Sequence, residues 1–170
     1  MTQEYLYGLA EFKFAVTGTP ESVGYIEEGS FDLGGQAGEV TEINATQVKG
    51  SPVLVLPKKN GSIKPSFDLI QIDYAKLILL MGGKTKSVTV EEVTTVTGWE
   101  APSTLTQVRG HAQILTDSGH LIDIPACTLV AYPTSKLSLD GVAKIHCELT
   151  PVQSAPGVAP YSISDIPEVG

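Results

Sequence analysis

Ile114-Leu115-Thr116-Asp117-Ser118-Gly119-His120-Leu121-Ile122-Asp123-Ile124 is the stretch that decides the fold class. Apolar residues alternate with polar ones on both sides of Asp117-Ser118-Gly119, a period of two that belongs to strands and not to helices. Glycine at the third turn position can take the left-handed conformation that closes a three-residue hairpin loop. With that turn, Ile114 faces Ile122 and Ala112 faces Ile124, so both arms place apolar residues on one side. Extended back over 104–116, the same alternation puts Val108, Ala112 and Ile114 inward. Gln107, Arg109, His111 and Gln113 then form an outward polar stripe, expected to face a channel or a subunit boundary.

Strands are expected through most of the chain. Residues 142–149 alternate cleanly, with Ala143, Ile145, Cys147 and Leu149 on one face and Lys144, His146 and Glu148 on the other. Further strands are expected over 5–16, 39–48, 86–96 and 127–132. Asn60-Gly61 signals a second hairpin, with arms 53–59 and 62–69. Pro52, Pro57 and Pro65 sit in or beside those arms and cannot donate to a ladder, so this hairpin is read as an edge or projecting one. One short helix is expected from the N-cap Asp73 to about Met81, ending at Gly82-Gly83. Being apolar nearly all round, it needs cover on several sides. The fold class is therefore mainly β: an antiparallel β-sandwich or barrel-like sheet with one short flanking α-helix, a projecting hairpin and extended terminal arms.

At 170 residues the chain is long enough for one self-sufficient core. The domain is expected over 1–150, with the projecting loop or hairpin at about 33–66. A proline-rich arm follows over 151–170, holding four of the eleven prolines (Pro151, Pro156, Pro160, Pro167). It is read as a disordered tail or a segment docking on a partner surface through Tyr161, Ile163 and Ile166. A net charge of -8 and a single arginine argue against gripping nucleic acid. Cys127 and Cys147 are read as buried thiols in preference to a bridge. The first five residues lack a basic start and a long apolar run, so no signal peptide is expected. The longest apolar run, 77–81, is too short to span a bilayer. A soluble product made in the cytoplasm is the expectation.

Reactive residue types fall in several places along the chain. His111, His120 and His146 lie on polar sides of strands or beside a turn, with no ligand spacing among them. Ser118, Gly119 and His120 are explained by turn chemistry, since no strained elbow surrounds the serine. Gly34-Gly35 with Gly38 lacks the strand-loop-helix context of a phosphate cradle. Glu91-Glu92 reads as a bulge or strand end, because adjacent strand residues point to opposite faces. Trp99 reads as a loop anchor. No catalytic residue, metal or cofactor is expected, and the chain is read as a non-enzyme.

The charge pattern points to assembly instead. Residues 21–42 carry six acids (Glu21, Glu27, Glu28, Asp32, Glu39, Glu42) and no Lys or Arg. Residues 43–67 carry Lys49, Lys58, Lys59 and Lys64 and no acid. Two complementary blocks suit head-to-tail self-association. Glu27, Glu28, Asp32, Glu39 and Glu42 are accordingly expected to meet Lys49, Lys58, Lys59 and Lys64 of another copy.

Over residues 31–151 the order of features resembles a bacteriophage tail tube protein. The likeness rests on Gly38-Glu39-Val40-Thr41-Glu42-Ile43, on Asn60-Gly61 leading into Phe67-Asp68-Leu69, and on Leu79-Leu80-Met81-Gly82-Gly83. It continues through the 114–125 hairpin and the closing strand before Thr150-Pro151. The resemblance implies a β-sandwich whose hexameric rings stack into a tube, a conduit for DNA that passes without specific binding. It also implies tape-measure, tail-terminator and baseplate proteins as partners, a place in the virion tail, and assembly in the host cytoplasm without membrane contact. The type VI secretion tube shares this architecture. The alternatives are a monomeric β-sandwich ligand-binding module, or another virion component such as a capsid decoration or tail-completion protein.

Overall fold

The computed structural model describes residues 4–167. The chain begins with strands β1 (Glu11–Ala15), β2 (Glu21–Ser22), β3 (Glu39–Ile43), β4 (Leu54–Lys59) and β5 (Ser66–Leu69), then helix α1 (Tyr74–Met81). There follow β6 (Lys84–Val90), β7 (Val93–Glu100), β8 (Val108–Leu115), β9 (His120–Thr134), β10 (Lys144–Pro151) and β11 (Ser162–Asp165). Seven strands form one antiparallel sheet in the order β2-β1-β8-β9-β10-β5, with β11 beside β9. The pairs β3-β4 and β6-β7 form two separate two-stranded sheets.

The β8-β9 hairpin has the expected register, Ile114 opposite Ile122 and Ala112 opposite Ile124. Beyond Ile124 the buried positions change parity, to Cys127 and Leu129. The change falls at Pro125-Ala126, where the pairing with β8 shifts by a residue between Gly110 and Ala112. Such a bulge bends the strand and increases its twist. Here β8 also passes so close to β1 that a Cβ on Gly110 would lie 2.2 Å from the Ala15 carbonyl oxygen. Consequently β1 and β5, far apart in strand order, bring Phe12 and Phe67 together with ring centroids 4.6 Å apart. The sheet curls over one core in the manner of a sandwich, without closing into a barrel.

Inward residues of five strands fill that core: Phe12 and Phe14, Ile114, Ile122 and Ile124, Ile145 and Leu149, Phe67 and Leu69. Cys127 and Cys147 are free and buried among them. Burial pushes both thiols up to about 12, which disfavours the thiolate, and they pack as small hydrophobes. Helix α1 runs as the sequence predicts. Asp73 Oδ1 accepts from the Ala75 N–H at 3.0 Å, and Gly82 exits with φ 76°. Leu77 and Leu80 seal the core, while Trp99 donates from Nε1 to the Gly82 carbonyl at 2.8 Å and fastens β7 to the helix exit.

Two expectations are corrected. Asn60-Gly61 is not a hairpin turn: β4 pairs with β3, β5 pairs with β10, and neither Asn60 nor Gly61 has positive φ. The partner of this segment is already beside it, since a Cβ on Gly61 would lie 2.8 Å from the Gln36 carbonyl oxygen. Bridges Ile26–Leu69, Asp32–Ser66 and Gln36–Ser62 carry the antiparallel pairing up to β3-β4. Residues 26–69 are thus one long ribbon whose tip is 44–53. The turn with positive φ at both central residues lies instead at Glu91 (48°) and Glu92 (64°), between β6 and β7.

The proline-rich arm is the second correction. It docks on its own sheet, with Ser162 opposite Asp123 and Asp165 opposite His120. β10 stops opposite Cys127, leaving the first residues of β9 without a partner on that edge, and β11 fills the gap. Tyr161 packs against the core. Residues 168–170 of the arm and the first three residues of the chain lie outside the described residues.

Candidate assembly surface

Every residue of β3 and β4 is exposed. Cross-strand partners share a face, so Ile43, Leu54 and Leu56 lie on one side of the ribbon with Thr41, and Val40, Val55 and Pro57 on the other with Glu42. Val40, Ile43, Val53, Leu54, Val55 and Leu56 keep between 42% and 55% of their surface in solvent. Within the described residues β3 and β4 pair only with each other. A two-stranded ribbon alone in water is marginally stable, and this one carries apolar side chains on both faces with no core to bury them.

The β6-β7 hairpin repeats the pattern. Its base is held by Trp99, yet Val88, Val90, Val93 and Val96 are each at least half exposed. Val88, Val90 and Val93 share one face with Thr95, while Thr89 and Thr94 hydrogen-bond at 3.0 Å on the other.

Within one chain the charged blocks are arranged as follows. The acidic block runs along the outgoing arm of the ribbon and the basic block along the returning arm, so the two lie side by side in one chain. Glu39 is opposite Lys59 and forms an exposed ion pair with Lys58 at 4.0 Å, an arrangement that contributes roughly 0–1 kcal/mol. Glu27 is engaged by Lys144 of β10, whose ammonium it holds above the ordinary lysine value. Asp32 Oδ1 accepts from the Gly34 N–H at 2.8 Å. Glu28, Glu42, Lys49 and Lys64 are exposed. Among the described residues only Glu39 meets a lysine of the basic block within the chain, and the apolar residues of β3 and β4 are exposed beside these charges.

The polar stripe is only partly continuous. Gln107 precedes β8 and is exposed, as is Arg109. His111 and Gln113 are half-buried and share one acceptor, Asp123 Oδ1 on β9, at 3.3 Å from Gln113 Nε2. Further along the outer face, His146 Nδ1 meets Asp68 Oδ1 at 2.7 Å and Nε2 meets Glu148 Oε1 at 3.3 Å. The hydrogen bond to Asp68, then that to Glu148, raises the His146 pKa. Sequence reasoning missed these carboxylate partners. Asp123 was accessible to it, because the hairpin register already places it opposite Gln113. Asp68 was not, because its pairing with β10 spans the chain.

A folded chain of 18.0 kDa ordinarily exposes about 8,000 Å². This one exposes 11761 Å², an excess of roughly 3,700 Å². No protein-family model and no curated protein matches the chain.

Proposed function

We propose that this chain is the repeating subunit of a self-assembling tube of the phage-tail type, with hexameric rings stacked head-to-tail around a passage for DNA. The observation that carries this reading is the surface excess together with its location. An excess of roughly 3,700 Å² falls within the range buried by obligate interfaces, and the two-stranded sheets β3-β4 and β6-β7, separate from the main sheet, carry exposed apolar side chains. Within the proposal, the 26–69 ribbon and the β6-β7 hairpin pack against neighbouring copies, and apolar burial supplies most of the energy. The lysines and acids of the ribbon then set register and orientation more than strength. DNA would pass a lining without clustered Arg or Lys, consistent with the net charge. Electron microscopy of concentrated purified protein tests the reading: rings or tubes of uniform diameter are expected, and isolated monomers throughout would contradict it.

A second reading draws on a cavity of about 650 Å³ at the foot of the ribbon, lined by Leu6, Leu9, Ile26, Phe31 and Leu33. Its size suits a small molecule, which keeps a monomeric ligand-binding module as the alternative. A persistent monomer in the same micrographs is the outcome that favours it.

A further inference from the structure

The Asp117-Ser118-Gly119 turn lies where the first and last described segments of the chain meet. The Ser118 N–H donates to the Tyr7 carbonyl at 3.3 Å, and the Ile166 N–H donates to the Gly119 carbonyl at 3.0 Å. Glu4 arrives from the N-terminal segment and Asp165 from β11, and both carboxylates face His120. Glu4 Oε2 lies 3.3 Å from His120 Nε2 and Asp165 Oδ1 lies 3.8 Å from it. The three ligand atoms all fall within 4.8 Å of one another. From the sequence, Ser118 and His120 needed no more than turn chemistry, because neither carboxylate is near them in the chain.

The hydrogen bonds behind the ring support a tautomer that leaves Nε2 free toward the carboxylates. Thr116 Oγ1 donates to the His120 carbonyl at 3.1 Å, which uses its only proton. With that proton on the carbonyl, Thr116 accepts in its contact with Ser118 Oγ at 2.9 Å, and the Ser118 hydroxyl donates. Ser118 Oγ is then an acceptor toward His120 Nδ1 at 2.9 Å, so Nδ1 carries the proton. In the neutral ring this leaves the Nε2 lone pair pointing at two carboxylates, three acceptors with no donor among them. A cation resolves that arrangement. The imidazole is enclosed, its side chain 12% exposed, while the carboxylates can adjust. Together with Leu6, Ile163 and Ser164 the same three residues line a cavity of about 520 Å³.

We propose that Glu4, His120 and Asp165 form a divalent transition-metal site, with zinc the cation the donor set suits, and Ser118 its orienting partner. One imidazole nitrogen with two carboxylates is a borderline donor set that favours zinc over the harder calcium and magnesium. Ligand atoms about 2.0–2.2 Å from a tetrahedral zinc stand roughly 3.3–3.6 Å apart. The Nε2–Glu4 separation already has this value, and small rotations of the exposed Asp165 and Glu4 side chains supply the rest. Three protein ligands leave a position for water. The Nδ1–H to Ser118 bond orients the ligating ring as outer partners of metal-bound histidines do. Bound zinc would clasp the N-terminal segment and β11 to the hairpin turn, independently of whether the chain assembles.

Calorimetric titration of the full chain with zinc chloride at neutral pH tests this, with circular dichroism confirming the fold of each variant. The parent should bind one equivalent, and His120→Gln should lose that binding. Ser118→Ala should weaken it about 10–100-fold, His146→Gln should retain it, and calcium should give no comparable binding. Equal zinc affinity in the parent and His120→Gln would overturn the proposal. So would a parent that binds no zinc, in which case a proton on Nε2, and not a metal, joins the three groups.

Discussion

His146 illustrates how one side chain acquires its setting from strand pairing. It lies opposite both Asp68 and Tyr132 and two positions before Glu148 on its own strand, so two carboxylates and an aromatic ring surround the imidazole. The Asp68 hydrogen bond leads the upward shift of its pKa. A raised value in the folded state means that the native protein holds this proton more tightly than the unfolded chain does. The stabilisation is therefore complete below the ordinary histidine value of about 6.5 and fades as pH rises through the folded value. Urea unfolding of the parent and of His146→Gln at pH about 5.5 and about 8.5 checks the sign. The parent's advantage should be larger at the lower pH, and an advantage that grows toward the higher pH would contradict the pairing. The proposed zinc site belongs to the same scale, since it depends on a single imidazole that contacts Ser118.

The elements differ in how far the sequence marks them. The 114–124 hairpin was legible in full, because a turn glycine and a period-two pattern specify the same register within eleven residues. The helix was legible for a similar reason, with Asp73 and Gly82 marking its ends. For the 26–69 ribbon the sequence marked a projecting segment at about 33–66 but not its pairing: Asn60-Gly61 carries a strong local turn signal, and a long-range partner overrides it. The reverse happened at Glu91-Glu92, where no turn residue advertises a turn that needs two positive φ values. A left-handed backbone costs roughly 1–2 kcal/mol per non-glycine residue, and two adjacent carboxylates add repulsion. Replacing the pair (Glu91→Asn with Glu92→Gly) should therefore slow amide exchange in β6 and β7, by up to about tenfold for each 1.4 kcal/mol relieved. Unchanged or faster exchange would show that the turn is not strained. β11 was missed because its sequence has little alternation of its own, and an open edge of β9 recruits it.

The whole molecule presents a closed core beneath one curled sheet and, standing off it, two apolar ribbons. Charge patterning alone led to assembly through complementary blocks. The fold places those blocks on the two arms of one ribbon, with a single ion pair between them among the described residues, and adds exposed valines and leucines beside them. Leu54 and Leu56 share a face of the ribbon and make no part of the core, so replacing both by Asp should leave the monomer folded while removing apolar contact area from any neighbour. Sedimentation velocity across a concentration series, with the parent beside the Leu54→Asp/Leu56→Asp variant, tests the central claim most directly. The expected result is large, regular assemblies from the parent and a folded species of monomer size from the variant. A parent that remains monomeric at every concentration, or a variant that assembles as the parent does, would contradict it.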